Sequence, residues 1–239
     1  MLIKSKRVGE TPLELLDRIR KEDNVLMNEK LSYAGRLDPM AEGEMFIMVG
    51  DENQNREHFL GFDKEYEAEF LLGVSTDTGD VLGLITGVDE GTEISLQEIS
   101  VLVEDFLKIK TQQYPWFSSK AVDGKKLFEH FKTGNTNIER PIRDVNIKSV
   151  EILNYSTTDT PEISNYIFDS INKVNGDFRQ LEIIERWREF FAKNSRLQMQ
   201  TLKIKILVSS GTYIRALTEK FPIPATLLKL NRTKIISGL

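Results

Sequence analysis

Tyr33-Ala34-Gly35-Arg36-Leu37-Asp38-Pro39-Met40-Ala41-Glu42-Gly43 sets one carboxylate between a leucine and a proline, inside a segment bracketed by glycines. Pro39 fixes its own φ and moves Asp38 out of the helical region towards extended backbone. Gly35 and Gly43 permit tight turns or the close approach of another molecule. Asp38 is therefore carried on a stiff loop, a setting that suits a carboxylate presented to a substrate atom. Taken alone, the loop reads more readily as an ordinary Asp-Pro turn or helix start, so the rest of the chain has to decide.

Immediately after the loop, Glu44 to Val49 is a short apolar run closed by Gly50 and reads as a buried strand. Upstream, Thr11, Pro12 and Glu14 make a T-x-x-E capping box with proline at the first helical position. Leu13, Leu16 and Ile19 follow at helical spacing and are expected to face the core. Downstream, Ala68, Phe70 and Leu72 alternate with acidic residues after Lys64-Glu65-Tyr66, giving a half-exposed strand. Ser95 and Glu98 form a second capping box, ahead of an apolar stripe of Ile99, Leu102, Val103, Phe106 and Leu107.

Arg140 to Leu153 reads as strand, Tyr155 to Pro161 as an exposed turn, and Ile163 to Val174 as a helix. Asn175-Gly176-Asp177 breaks that helix and Gln180 to Phe191 restarts one. Leu202 to Val208 alternates with period two and is the clearest strand in the chain.

Composition narrows the function classes. The chain has 239 residues, 40% apolar and 29% charged, enough for a sizeable core and against disorder. It has no cysteine, so thiolate chemistry and disulfides are excluded, and a reducing cytoplasmic location is expected. Its two histidines, His58 and His130, lie far apart and in no zinc-ligand spacing, so no metal site and no cofactor are expected. No P-loop pattern occurs, no apolar run approaches about 18 residues, and the first residues lack a signal-peptide pattern.

The net charge of −5 is uneven. Asp51 to Asp105 carries a net −13, Ser118 to Lys148 a net +3 and Lys203 to Lys234 a net +6. The two basic windows read either as faces that would contact phosphates or as ordinary solvated faces, and charge alone does not separate the two. Within the first, Gln113 to Phe128 interleaves aromatics with lysines and hydroxyls. That mix serves either to stack on bases or to anchor a loop.

Five blocks resemble the TruB family of tRNA pseudouridine synthases, in that family's order and spacing. They are G-R-L-D-P-M-A-x-G at Gly35 to Gly43; K-x-Y at Lys64 to Tyr66, followed by G-x-x-T-D-T-x-D-x-x-G at Gly73 to Gly83; Tyr114 to Phe128; S-x-G-T-Y-I-R-A-L at Ser209 to Leu217; and Ala225 to Arg232. Lys4 to Thr11 is similar to the family's opening K-P-x-G-x-T/S element without its proline. Ser32-Tyr33 stands where many members carry a histidine, Phe117 replaces a tyrosine, and Ala121 falls where a lysine usually sits, with Lys120 beside it.

The resemblance implies an α/β (α+β) pseudouridine synthase fold, a largely antiparallel mixed sheet flanked by helices. It implies one catalytic domain over residues 1–239, with residues 112–148 as an RNA-clasping insertion; the C-terminal RNA-binding or PUA domain of many members is not expected here. It implies isomerisation of a tRNA uridine, uridine 55 of the TΨC loop, with the TΨC stem-loop as partner, no obligate protein partner, and neither membrane nor cofactor. Asp38 would be catalytic and Arg215 would pair with it. Tyr66 and Leu230 would sandwich the base, Tyr213 would belong to the same wall, and Lys120, Lys125 and Arg232 would contact RNA. By itself Tyr66 reads as an interfacial strand aromatic rather than a base-stacking residue. A non-catalytic RNA-binding protein on the same scaffold, or a synthase for another RNA, are the rival readings.

Overall fold

The computed structural model describes residues 2–89, 91–194 and 198–237. In chain order the elements are β1 (Leu2–Lys6), α1 (Pro12–Glu22), β2 (Leu31–Ala34), β3 (Ala41–Val49), α2 (Arg56–Leu60), β4 (Asp63–Leu72), β5 (Val74–Thr76), β6 (Ile85–Val88), α3 (Leu96–Phe106), β7 (Thr111–Gln113), β8 (Ala121–Val122), β9 (Lys125–Lys126), α4 (Leu127–Lys132), β10 (Ile142–Asp144), β11 (Ile147–Asp159), α5 (Thr160–Asn172), α6 (Gln180–Lys193), β12 (Gln198–Val208) and β13 (Ala225–Ile236), with a 3₁₀ turn at Ile214–Lys220 before β13.

One seven-stranded sheet runs β1-β3-β13-β4-β12-β11, with β2 also on β3. Among the described residues of this sheet, β13 and β3 pair in parallel, over Leu230–Arg232 and Ala41–Gly43, and the other ladders are antiparallel. The mixed, largely antiparallel sheet is the one expected. Period-two alternation gives it two distinct faces. On one face Phe70, Ala68, Leu202, Ile204 and Ile206 pack beneath Leu15, Leu16 and Ile19 of α1 and Ile99, Val103 and Phe106 of α3. On the other, α5 and α6 bring Ile163, Ile167, Trp187 and Phe191 onto Leu71, Leu228 and Met199. Both predicted capping boxes form, Thr11 with Glu14 and Ser95 with Glu98.

Two local expectations are corrected. Leu13 is 64% exposed; the buried stripe of α1 runs through Leu15, Leu16 and Ile19 instead. Tyr155 to Asp159 is strand, because its threonines stay in register with β12 (Thr157 opposite Gln200, Thr158 opposite Met199) and β11 ends only at Asp159. β-Branched residues favour that pleated pairing over a turn.

The segment expected as an insertion is bounded by a short ladder, β7 against β10, with Gln112 opposite Arg143. Between those strands it holds the β8–β9 hairpin and α4.

Candidate active site

The sheet's apolar face turns into a site along β4. Its inward positions read Leu72, Phe70, Ala68, Tyr66 and Lys64, so the buried row passes from aliphatic and aromatic groups to a phenol and an ammonium. There a cleft of about 960 Å³ opens, at the upper end of the range typical of ligand pockets.

The Asp38 loop forms one wall and is pinned from behind. The Gly9 amide donates to the Pro39 carbonyl at 2.8 Å, and the Ala41 amide to the Asp38 carbonyl at 3.0 Å. The fully buried Lys6 ammonium donates to the carbonyls of Ala41 (2.5 Å) and Arg7 (2.9 Å), with Pro39 at 3.4 Å. Burial pulls the Lys6 pKa down to about 8, against the pull of Glu10, Asp38 and Glu42. Lys6, rather than Lys4, is the lysine of the opening element that matters to the loop. The cue available in the sequence was its distance from Gly9 and Thr11.

Opposite the loop, β12 ends at Val208 and the chain turns through Gly211 into the 3₁₀ segment that carries Arg215. Arg215 is 4% exposed. Its Nε donates to Asp38 Oδ2 at 2.8 Å, Nη1 to the Thr78 carbonyl at 2.9 Å and Nη2 to the Phe117 carbonyl at 2.7 Å. One guanidinium therefore joins the Asp38 loop, the turn after β5 and the insertion. Asp38 Oδ1 accepts no hydrogen bond among the described residues, and the side chain is 42% exposed to the cleft.

Asp80 is buried behind Arg215. It is held by the Thr78 hydroxyl and the Leu82 amide, both at 3.0 Å to Oδ1. Burial pushes its pKa up to about 6, partly offset by the positive charge of Arg215. Burial disfavours the charged form of Arg215, yet Asp38 and Asp80 together hold its pKa above the usual guanidinium value. Gly79, at φ +79°, lets this turn approach the 3₁₀ segment, since a Cβ there would lie 2.9 Å from the Arg215 carbonyl oxygen. Tyr213 lines the same wall under the Arg215 guanidinium, 5.6 Å from its ring centroid, with its phenol pKa raised first by burial and then by Asp38.

Residues 23–167, more than half of the chain, match the family model described as TruB family pseudouridylate synthase (N terminal domain). The chain belongs to the TruB family. Among similar proteins, tRNA pseudouridine synthase B of Endomicrobium trichonymphae is 29% identical, over 98% of this chain and 84% of that protein. The protein of the same name from Listeria monocytogenes is 30% identical over 96% of this chain and 64% of its own length, and that from Staphylococcus aureus Newman 29% identical over 98% and 64%. Among solved structures, the chain resembles one in a Cbf5-Nop10-Gar1 complex with a TM-score of 0.57 at 18% identity, over 97% of this chain and 47% of that one. A chain in an H/ACA RNP bound to a substrate RNA containing 2'-deoxyuridine gives 0.51 at 15%, over 97% and 45%. The likeness to these structures is one of fold.

Of the residues singled out from the TruB motifs, Asp38, Tyr66, Tyr213, Arg215, Leu230 and Arg232 all line the cleft. Lys120 and Lys125 do not. Lys120 extends over the Tyr114 ring at 5.2 Å, and the insertion offers Lys126 and Lys132 to the cleft instead. The β8–β9 hairpin reverses direction at Asp123-Gly124, both at positive φ, and this sets which lysines face inward. Arg232 is 1% exposed, so it belongs to the cleft floor and not to an outer basic face. Sequence reasoning missed Lys64, Arg143 and Arg179 as cleft cations. Arg179 lies on the loop between α5 and α6, pairs with Asp77 at 2.7 Å and stacks on Phe117 at 4.7 Å. In the sequence its position at the helix restart was the only available cue.

Eight basic and four acidic side chains line the cleft of a chain whose net charge is −5. Among the described residues no group of three or more His, Asp or Glu is placed to hold a metal, and no helix is long and apolar enough to cross a membrane.

Proposed function

We propose that this protein isomerises a uridine of tRNA to pseudouridine, with Asp38 as the essential carboxylate. The observation that carries the reading is the Asp38–Arg215 pair, in which one carboxylate oxygen is tied by a buried guanidinium and the other is left open to a cationic cleft. The reaction breaks the N1–C1′ bond, turns the freed uracil, joins C5 to C1′, removes the C5 proton and leaves a proton on N1, so that substrate and product are isomers. Oδ1 of Asp38 is the atom free to attack or to take a proton. Tyr66 and Leu230 line the pocket as the two sides of a base slot, and a nucleotide reaches it only when flipped out of its stack. Walls of Leu37, Tyr66 and Ile214 keep water from the reacting ring.

The finer reading is uridine 55 within the TΨC arm, bound by a clasp made of residues 112–148, in the cytoplasm and without a protein partner. Arg215 and Arg179 both hold Phe117, which supports a clasp seated directly on the catalytic pair. The relatives named tRNA pseudouridine synthase B support the tRNA substrate.

Asp38→Asn is expected to bind tRNA and form no pseudouridine, a loss of at least about 10⁴-fold, read by tritium release from labelled uridine. Measurable turnover by that variant overturns the assignment. For the finer reading, an isolated TΨC stem-loop should be modified nearly as well as whole tRNA at matched salt. A very poor stem-loop would show that recognition needs contacts beyond that arm.

A further inference from the structure

Among the described residues, three buried polar atoms have no hydrogen-bond partner: the Ser118 hydroxyl, Arg143 Nε and Arg232 Nη2. All three residues line the cleft. Folded proteins leave few such groups unpaired, and three around one cleft call for a partner that arrives from outside.

Two of the three belong to guanidiniums, the half-buried Arg143 and the buried Arg232, and they share a corner with the buried Lys64. Arg232, 1% exposed, and Lys64, 4% exposed, meet over Gly35, where a Cβ would lie 3.7 Å from Arg232 Nη1 and 3.8 Å from Lys64 Cε. Arg143 crosses from β10 and lies flat on Gly211, where a Cβ would fall 1.8 Å from its guanidinium. Its Nη2 donates to the Ser210 carbonyl at 3.1 Å. The Ser210 hydroxyl and the Lys64 ammonium both donate to the Leu60 carbonyl, which ties the Gly211 turn to the start of β4.

No carboxylate within 4.0 Å balances these cations among the described residues. Asp63 pairs with Lys148. The Glu44 carboxylate accepts from the Ile235 amide, while its carbonyl takes Arg232 Nε. The cluster is repulsive: the Lys64 pKa falls to about 8, first through burial, then through Arg232, with Arg143 adding to it and Asp63 opposing. Charges packed in this way need a counter-ion, and guanidiniums match phosphate oxygens in geometry.

We propose that Lys64, Arg143 and Arg232 form a subsite for one RNA phosphodiester, the linkage next to the nucleotide held over Asp38. Its place follows from the register: Arg232 is opposite Tyr66 on the adjacent strand, with its guanidinium 6.0 Å from the Tyr66 ring. A base lying on Tyr66 brings its own backbone to this corner. The subsite rests on the RNA substrate proposed above.

The test uses stem-loop RNAs in which one linkage at a time around the target uridine is a neutral methylphosphonate. With wild-type protein, a single position adjacent to that uridine should weaken binding about tenfold, the others much less. Arg143→Gln should lose a similar factor on all-phosphate RNA and nothing further on the RNA carrying the neutral linkage there. A flat scan, or an Arg143→Gln loss that is the same on both RNAs, overturns the subsite. Lys64→Met and Arg232→Gln remove buried groups and carry a folding risk, so the wild-type scan decides without them. Product formation is read separately: position-specific binding without pseudouridine keeps the subsite and removes the proposed activity, and turnover with a flat scan does the reverse.

Discussion

The cations on the outer face of the sheet and those of the cleft are the same residue types with opposite surroundings. Along β4, Glu65, Glu67 and Glu69 point to one side, and Lys234, Lys203 and Lys229 from the neighbouring strands pair with them. Cross-strand neighbours of opposite charge are ordinary sheet chemistry, each worth a fraction of a kcal/mol. In the cleft, Lys64, Arg143 and Arg232 have no carboxylate partner among the described residues, and Lys126 and Lys132 stand open at the rim. Three of the seven cations between Lys203 and Lys234 are thus answered by the acidic strand they lie against. What makes a cation available to RNA is the charge of its spatial neighbour, not the balance of its own stretch of chain.

The strongest way to break this contrast is at Arg215, a cleft cation that pairs with Asp38 and attracts the buried Asp80. Arg215→Ala should lower turnover by at least about 10³-fold, since Asp38 loses its orienting donor. It should also cost about 3–5 kcal/mol of stability, because Asp80 is left buried without its counter-charge. Single-turnover kinetics and urea melts check both. Near-normal turnover would mean that Asp38 needs no orientation from below.

A milder test compares rim and ladder directly. Lys126→Ala and Lys132→Ala should each weaken RNA binding severalfold and reduce the log–log salt slope by about 0.7–0.9. Lys203→Ala and Lys229→Ala should leave the slope unchanged. If the ladder lysines change it as much as the rim lysines, the paired face binds RNA as well, and spatial neutralisation is the wrong criterion.

The same distinction marks how far the sequence could be read. Asp38, Arg215, Tyr66, Tyr213 and Leu230 were legible as a set only through the TruB motifs; their own neighbours gave less, a stiff loop from the proline after Asp38 and a turn at the glycine before Tyr213 and Arg215, while Tyr66 and Leu230 had no local cue beyond the motif. The mixed sheet was legible from Leu202 to Val208 and Ala68 to Leu72, where period two is strict. Lys126 and Lys132 were not, because a two-residue hairpin decides which side of the insertion each lysine faces, and Lys120 and Lys125 carry the same local signal. Arg179 and Arg143 were not, because they reach the cleft from elements distant in sequence. Leu13 was misplaced for a simpler reason: a helix of 11 residues offers two overlapping apolar stripes, and α3 and the sheet select the one through Leu15.

The last effect expected tests the cleft's buried carboxylate by itself. The Asp80 pKa of about 6 in the fold lies above its ordinary value of 3.8. Between those values the folded state holds a proton that the unfolded state has released, so stability must fall as pH rises through this window. The contribution is fully present below about pH 4 and lost above about pH 6. Glu10, Glu14 and Glu98 have depressed pKa values and act in the opposite sense, so the total stability curve hides it. The difference between wild type and Asp80→Asn isolates it: the wild type should lose stability relative to the variant from pH 4 to pH 6, with a slope of at most about 1.4 kcal/mol per pH unit. Urea melts at closely spaced pH values measure this difference. If the Asp80→Asn difference is flat across the window, the attraction of Arg215 keeps Asp80 charged at every pH, and the cleft holds its carboxylate as firmly paired as the ladder holds its own.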